Sequence, residues 1–216
     1  MTQENTIQVD VISDVVCPWC IVGFRQLGLA LQQTGLKAAL RWHPFELNPQ
    51  MPPKGQNLRE HIAEKYGTTD AQSAQARENL AALGASLGFQ FNYTDDMRMV
   101  NTFKAHQLLD WAEEHDLQTP LKLALFDAYF TENLDVSQDD ILIRTATKVG
   151  LPEDGARDLL VAGTRADSVR QKQQFWTSRG ISGVPAMVFE RKYLVTGAQG
   201  QDNYAQILTR CLEEAA

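Results

Sequence analysis

The sequence predicts an α/β protein: a four-stranded mixed sheet built from an N-terminal βαβ unit and a C-terminal αββα unit, with a large all-α insertion between them. Three observations carry this. The first fifty residues read as strand, helix, strand. The middle of the chain has helical periodicity and almost no strand signal. Near the C-terminus, two short apolar runs joined by three charged residues precede an amphipathic helix. A chain of 216 residues fits one domain with an elaboration, taking ~150 residues per domain. Apolar residues at 44% and charged residues at 22% are ordinary for a globular protein, which excludes a disordered, collagenous or coiled-coil chain.

In order along the chain, Ile7–Val11 alternates apolar and polar side chains over β-branched residues, the pattern of a strand. Cys20, Phe24, Leu27 and Leu31 then recur at helical steps, giving a helix with one buried face that Gly35 stops. Leu40–Phe45 is the second strand, bounded by Pro44 and Pro49, and the crossover of the resulting βαβ unit should be right-handed. Pro52-Pro53-Lys54-Gly55 makes a turn into the helical block. There Ala76, Leu80, Leu83 and Leu87 mark one amphipathic helix and Ala105, Leu108, Leu109 and Ala112 another. Thr119 before Pro120 is expected to cap a third helix running through Tyr129. Ser137 with Asp140 is expected to form a capping box for a fourth, which ends at Gly150. Asp167–Arg179 is a helix stopped by Gly180, and Ala186–Phe189 with Tyr193–Thr196 is a hairpin. Tyr204, Ile207, Leu208, Cys211 and Leu212 share one face of the closing helix. The expected division is residues 1–50 and 166–216 for the sheet domain and 51–165 for the inserted helical domain.

Twenty basic against 27 acidic residues leave a net charge of −7, without a local basic cluster, so nucleic acid is not an expected partner. Apolar runs fall far short of the ~20 residues that span a bilayer, so no membrane is expected either. The polar start Met1-Thr2-Gln3-Glu4-Asn5 lacks the pattern of a signal peptide, and the expected compartment is the cytosol.

Chemistry concentrates in the cysteines at 17, 20 and 211. An odd number argues against a disulfide scaffold and toward metal binding or redox catalysis. Cys17-Pro18-Trp19-Cys20 stands where a strand ends and a helix begins. Unpaired N–H groups and about half a positive charge at a helix N-terminus stabilise a thiolate at the first cysteine. Pro18 suits the first helical position because its missing N–H would be unpaired there anyway. Cys17 is therefore the expected nucleophile, and Cys20, one turn in and less exposed, the resolving thiol. Zinc needs about four ligands, and His43, His61, His106 and His115 are scattered, so no metal is expected. Proline at the start of a strand marks an edge, a bulge or a cis bond, and Val184–Pro185 is expected to be cis. Trp19 should be exposed beside the thiolate and available to substrate, while Trp42, Trp111 and Trp176 belong to the core. Cys211 should be an inert buried thiol. Asp14 either accepts the proton of Cys20 or caps a turn. Asn101 and His106 either line the cleft or are satisfied polar residues.

Ser13-Asp14-Val15-Val16-Cys17-Pro18-Trp19-Cys20 with Gly23, Gly183-Val184-Pro185, Asn101-Thr102-Phe103-Lys104-Ala105-His106 and Gly197-Ala198-Gln199 span nearly the whole chain. Together they resemble the thioredoxin-fold oxidoreductases of the DsbA family, and most of all its cytosolic FrnE-like branch. The resemblance implies a thioredoxin-like fold carrying the helical insertion, and a protein-disulfide oxidoreductase working as oxidase, reductase or isomerase. It implies no cofactor beyond the redox-active disulfide, with protein or small-molecule thiols and disulfides as partners and glutathione as a co-substrate. It also implies that Pro185 lies cis against Cys17, and that the Val184 backbone pairs with a bound peptide or glutathione in β fashion. Pro18 and Trp19 complete the substrate-binding set. The alternative is a glutathione-dependent isomerase or transferase of the kappa or hydroxychromene carboxylate isomerase type, which has a hydroxyl residue where this chain has Cys17. A third reading is a binding module that holds a peptide beside Pro185.

Overall fold

Each residue of β1 (Thr6–Ser13) has a parallel partner in β2 (Lys37–Pro44), from Thr6 opposite Lys37 to Ser13 opposite Pro44. The other edge of β1 pairs antiparallel with β5 (Ala186–Phe189), and β5 pairs antiparallel with β6 (Tyr193–Thr196). In this computed structural model, which describes residues 6–214, the strand order is β2-β1-β5-β6, a mixed sheet. Met1–Asn5, read above for the lack of a signal peptide, lies outside the described residues. β1 runs two residues further than its alternation suggested. Val11, Ile12 and Ser13 are all buried, because a central strand covered on both faces need not alternate.

α1 (Pro18–Thr34) follows β1 and ends at Gly35, whose left-handed φ of 69° closes it without a Cβ penalty. It packs along α9 (Gln201–Glu213), whose Tyr204, Leu208 and Cys211 are buried as the apolar stripe required. Between β2 and α8 (Ala166–Thr177) lies the helical block. It holds α2 (Leu58–Tyr66), α3 (Asp70–Ser86), α4 (Phe103–Ala112), α5 (Gln118–Phe126), α6 (Asp139–Lys148) and α7 (Glu153–Ala162). α5 continues into a π-helical turn at Asp127–Thr131. A short antiparallel bridge, β3 (Gln56–Asn57) with β4 (Arg98–Met99), ties the base of α2 to the segment before α4.

Two expected caps are not there. Thr119 lies inside the first turn of α5 instead of preceding it, and its hydroxyl accepts the indole N–H of Trp42 at 2.9 Å. Ser137 caps nothing: its N–H and hydroxyl both bond Asp135 Oδ1, and the N-cap of α6 is Gln138. A tertiary partner won over helix capping in the first case, a local Asx turn in the second. α5 also seals the sheet. β2 is an edge strand, and Gln118 accepts the Trp42 N–H at 2.8 Å and donates to the Trp42 carbonyl at 3.0 Å, completing backbone hydrogen bonds that no neighbouring strand offers.

Candidate active site

The turn from β1 into α1 sets Cys17 at the N-cap, with extended φ and ψ of −94° and 111° and no side-chain cap. The Cys17 N–H donates to the Asp14 carbonyl at 3.3 Å, and the Cys20 N–H donates to the Cys17 carbonyl at 3.1 Å, closing the first turn around both sulfurs. Pro18 takes the first helical position, where no N–H is missed. Across from Cys17, the Val184–Pro185 bond is cis, and Cys17 Sγ donates to the Val184 carbonyl at 3.5 Å. Gly23 eases the packing of α1 here: a Cβ there would sit a tight 3.3 Å from the Tyr204 hydroxyl and in ordinary contact, 3.5 Å, with Pro185 Cγ.

Cys20 is fully buried and Cys17 only 3% exposed, while Trp19 between them is 46% exposed. The structure thus brings Cys17, Cys20, Pro18, Val184 and Pro185 together and leaves Trp19 standing at the surface beside them. The first cysteine is more enclosed than its position at a helix terminus suggested. Its hydrogen bond to Cys20, followed by burial, pushes the Cys17 thiol well above its usual range. Cys20 moves the other way. Burial alone would raise it, but the hydrogen bond from Cys17, the Lys122 ammonium and the Ser13 hydroxyl outweigh burial and bring it below the ordinary thiol value. When the reduced pair carries one negative charge, its surroundings favour the inner sulfur for that charge and the outer one for the proton. The helix-terminus argument had placed that charge on Cys17; the hydrogen bond between the two sulfurs and burial of the outer one favour Cys20 instead.

Beneath the pair lies a buried polar group. Asp14 caps its own turn by accepting the Val15 N–H at 2.8 Å, and its second oxygen accepts the Leu47 N–H at 2.8 Å. Its Oδ1 is also 3.1 Å from Nε2 of His106 on α4, both side chains being nearly inaccessible. Burial pushes the Asp14 carboxyl up, but the interactions with His106, the Leu47 N–H and Lys122 prevail and hold it below the usual value of 3.8. With three donors already on it, Asp14 is a turn anchor more than a base for Cys20. Asn101 is not part of this group. It accepts the Phe103 N–H and donates to the Met51 carbonyl, which fastens the start of α4. The four histidines have separate partners, and among the described residues no cluster of His, Cys, Asp and Glu could hold a metal ion. Cys211 is buried on α9, and Trp111 and Trp176 are half-buried where only Trp42 is fully enclosed.

Sequence reading gave Ser13 no role of its own and missed Lys122. Ser13 stood only at the head of the stretch that runs to Cys20, with nothing to say that its hydroxyl meets a sulfur. Lys122 did carry a signal: a lone charge inside Leu121-Lys122-Leu123-Ala124-Leu125-Phe126, on a helix that buries most of that run.

The sequence profile of the DSBA-like thioredoxin domain matches residues 8–209. Among solved structures, the chain is similar to the probable DsbA oxidoreductase SCO1869 of Streptomyces coelicolor, with 30% identity, 96% of this chain and 91% of that one covered, and a TM-score of 0.89. It is similar in fold to the cytosolic disulfide reductase DsbM of Pseudomonas aeruginosa, solved with GSH, with 16% identity over 95% of this chain and 99% of that one and a TM-score of 0.64. Among curated proteins, it is 25% identical to the uncharacterized protein YwbO of Bacillus subtilis over 94% of this chain and 96% of that one. Among the described residues, no helix is long and apolar enough to cross a membrane.

Proposed function

The chain belongs to the DSBA-like thioredoxin domain family, and on that premise we propose that it is a thiol–disulfide oxidoreductase whose redox pair is Cys17 and Cys20. The observation that carries this reading is the pair itself: two free thiols one turn apart at the N-terminus of a 17-residue helix, the outer one facing the Val184 carbonyl. Substrates are disulfides and thiols of proteins or small molecules, glutathione among them. They meet the backbone of Val184 beside Pro185, with Pro18 and Trp19 forming the other side of the contact. A cytosolic setting belongs to the same proposal, supported by the likeness to a cytosolic reductase.

In the singly ionised pair, exchange runs in a defined order. Cys17 gives its proton to the Cys20 thiolate and attacks one sulfur of a substrate disulfide, forming a Cys17 mixed disulfide and releasing a substrate thiolate. Cys20 then attacks Cys17 Sγ, closing the Cys17–Cys20 disulfide, and its proton leaves with the second substrate thiol. The substrate gains two electrons and the pair loses two; the same steps run backwards oxidise a substrate dithiol. The glutathione-dependent isomerase reading needs only one activating group at position 17 and gives Cys20 no task.

Cys17→Ser should abolish turnover with a dithiol and glutathione disulfide. Cys20→Ser should accumulate a mixed disulfide at Cys17, visible as a mass increase that a reducing agent removes. Full multiple turnover by Cys20→Ser would exclude the resolving role, and retained isomerase-type activity in that variant would favour the alternative.

A further inference from the structure

Lys122 has no part in the exchange steps above, yet it occupies the floor of the site. Its side chain is 1% exposed, and Nζ lies 5.4 Å from the Trp42 ring centroid and 5.1 Å from that of Phe126, both within cation–π range. The fold aims it there. Gln118 clamps α5 to Trp42 on β2, and Lys122 is one turn further along the same helix. Phe24 of α1 packs against the same indole, ring centroids 5.4 Å apart, and Cys20 is one turn before Phe24. The helix of the thiols and the helix of the amine therefore meet on one tryptophan ring.

An enclosed ammonium loses its hydration and persists only beside a compensating anion. The charged and titratable groups facing Lys122 are Cys17 and Cys20 of α1, Asp14 of the preceding turn and, bonded to Asp14, His106 of α4. β2 and α5 itself offer it the rings of Trp42 and Phe126. Asp14 is one such anion, though its oxygens also serve Val15, Leu47 and His106. The other anion present is the thiolate of the reduced pair. Burial pushes Lys122 down to about 8, opposed by the pull of Cys20, Asp14 and Cys17, so the amine changes its charge near neutral pH.

We propose that Lys122 is a positioning residue of the redox pair: its buried ammonium is the counter-charge of the thiolate that Cys17 and Cys20 carry when reduced. This rests on the redox reading given above. Reduction of the Cys17–Cys20 disulfide brings in two electrons from a thiol donor and breaks the S–S bond. One proton then resides on a sulfur and the second on Lys122 in place of the other sulfur. Reduction of the pair and protonation of Lys122 thus favour each other, and by linkage the effect is reciprocal. A helix of the insertion acts on the charge of the thiols, beside the hydrogen bonds from Cys17 and Ser13.

The test uses the full chain. In Lys122→Met, the pH at which the pair's thiolate absorbance appears should rise by about one unit, a tenfold loss of ionisation. The equilibrium with glutathione should move about tenfold toward the disulfide. A folded Lys122→Met protein with unchanged thiolate ionisation and an unchanged glutathione equilibrium overturns the proposal, even if its stability changes. The second measurement needs no variant. With carbon-13 at lysine Cε, NMR titration of the parent protein should show Lys122 holding its proton to higher pH in the reduced than in the oxidised form. Identical titration in the two forms overturns the proposal. Failure of the redox reading itself would be seen separately, as a parent protein whose thiols do not exchange with glutathione at all.

Discussion

Two parts of the same insertion stand in different relations to the thiols. α4 and α5 lie against the outer edge of β2 and send His106, Gln118 and Lys122, all buried, into the floor of the sheet. α2 and α3 make an arm. α2 buries no residue fully, and α3 buries only Ser73 and Gly84, although it has the same 17 residues as α1. The arm stands on local devices: Asn57 accepts the N–H groups of Arg59 and Glu60, and Thr69 with Gln72 forms a reciprocal capping box. It meets the body at Gly84, where the Phe91 ring packs close and folds onto Phe130, and through Lys65 of α2, which donates to the Leu47 carbonyl and to Asn48. Proximity in sequence therefore does not assign an inserted helix its role. What decides is whether one face meets the open edge of the sheet, where polar side chains complete the strand and reach the site.

The largest effect that could break this contrast is at Asp14. Asp14→Ala leaves the Val15 and Leu47 N–H groups and His106 without their acceptor, which should cost roughly 3–5 kcal/mol in urea unfolding. A cost below ~1 kcal/mol would mean that α4 is not tied to the thiol turn through this carboxylate. Because the folded Asp14 carboxyl is held below 3.8, its contribution is present above that value and lost as pH falls through the lower native one. The parent should accordingly lose stability on acidification that Asp14→Ala does not have to lose.

Lys122→Met comes next and has the opposite sign. The buried amine titrates at about 8 against an ordinary 10.5, so between those values the native state binds fewer protons than the unfolded one and stability rises with pH. Below that window, the buried charge costs the parent about 3 kcal/mol, which the methionine variant should recover at pH 7 and no longer show near pH 10.5. Thermal melts across this range decide it. A flat difference between the two proteins would show that the lysine is not charged in its pocket.

Gly84→Ala probes the arm. An added Cβ would meet the Phe91 ring at 2.5 Å and the Phe89 carbonyl at 2.8 Å, and overpacking of this kind costs ~1–3 kcal/mol. Thiolate ionisation should not change, which sharpens the separation of arm from floor; a shifted thiolate titration would erase it. The smallest effect is that of Cys211→Ala, a small cavity on the buried face of α9 worth ~1 kcal/mol, with exchange activity intact. Lost activity in a folded variant would bring a third thiol into the reaction.

The elements of the sheet domain were legible because each states its period over a short span. Ile7–Val11 alternates, Cys20 to Leu31 repeats at helical steps, and Gly35 and Gly180 take positive φ where the readings ended. Inside the insertion, the signal was weaker. Ala76, assigned to an apolar stripe, is exposed, and Leu80, Leu83 and Leu87 are half-buried, because the arm has little to pack against. α2 and α7 went unread, and β3 with β4 could not be read at all, since two residues have no period.

By itself, the sequence determined the strand and helix order, the pair Cys17–Cys20 at a helix start, and Val184–Pro185 ahead of β5, since periodicity and turn chemistry act over a few residues. The tertiary structure alone decided which sulfur the surroundings favour for the charge, why Thr119 serves Trp42 instead of a helix end, and that His106 meets Asp14 while Lys122 acts on Cys20. Burial and electrostatic balance depend on groups about a hundred residues apart meeting in one enclosed space, and no local pattern records that meeting.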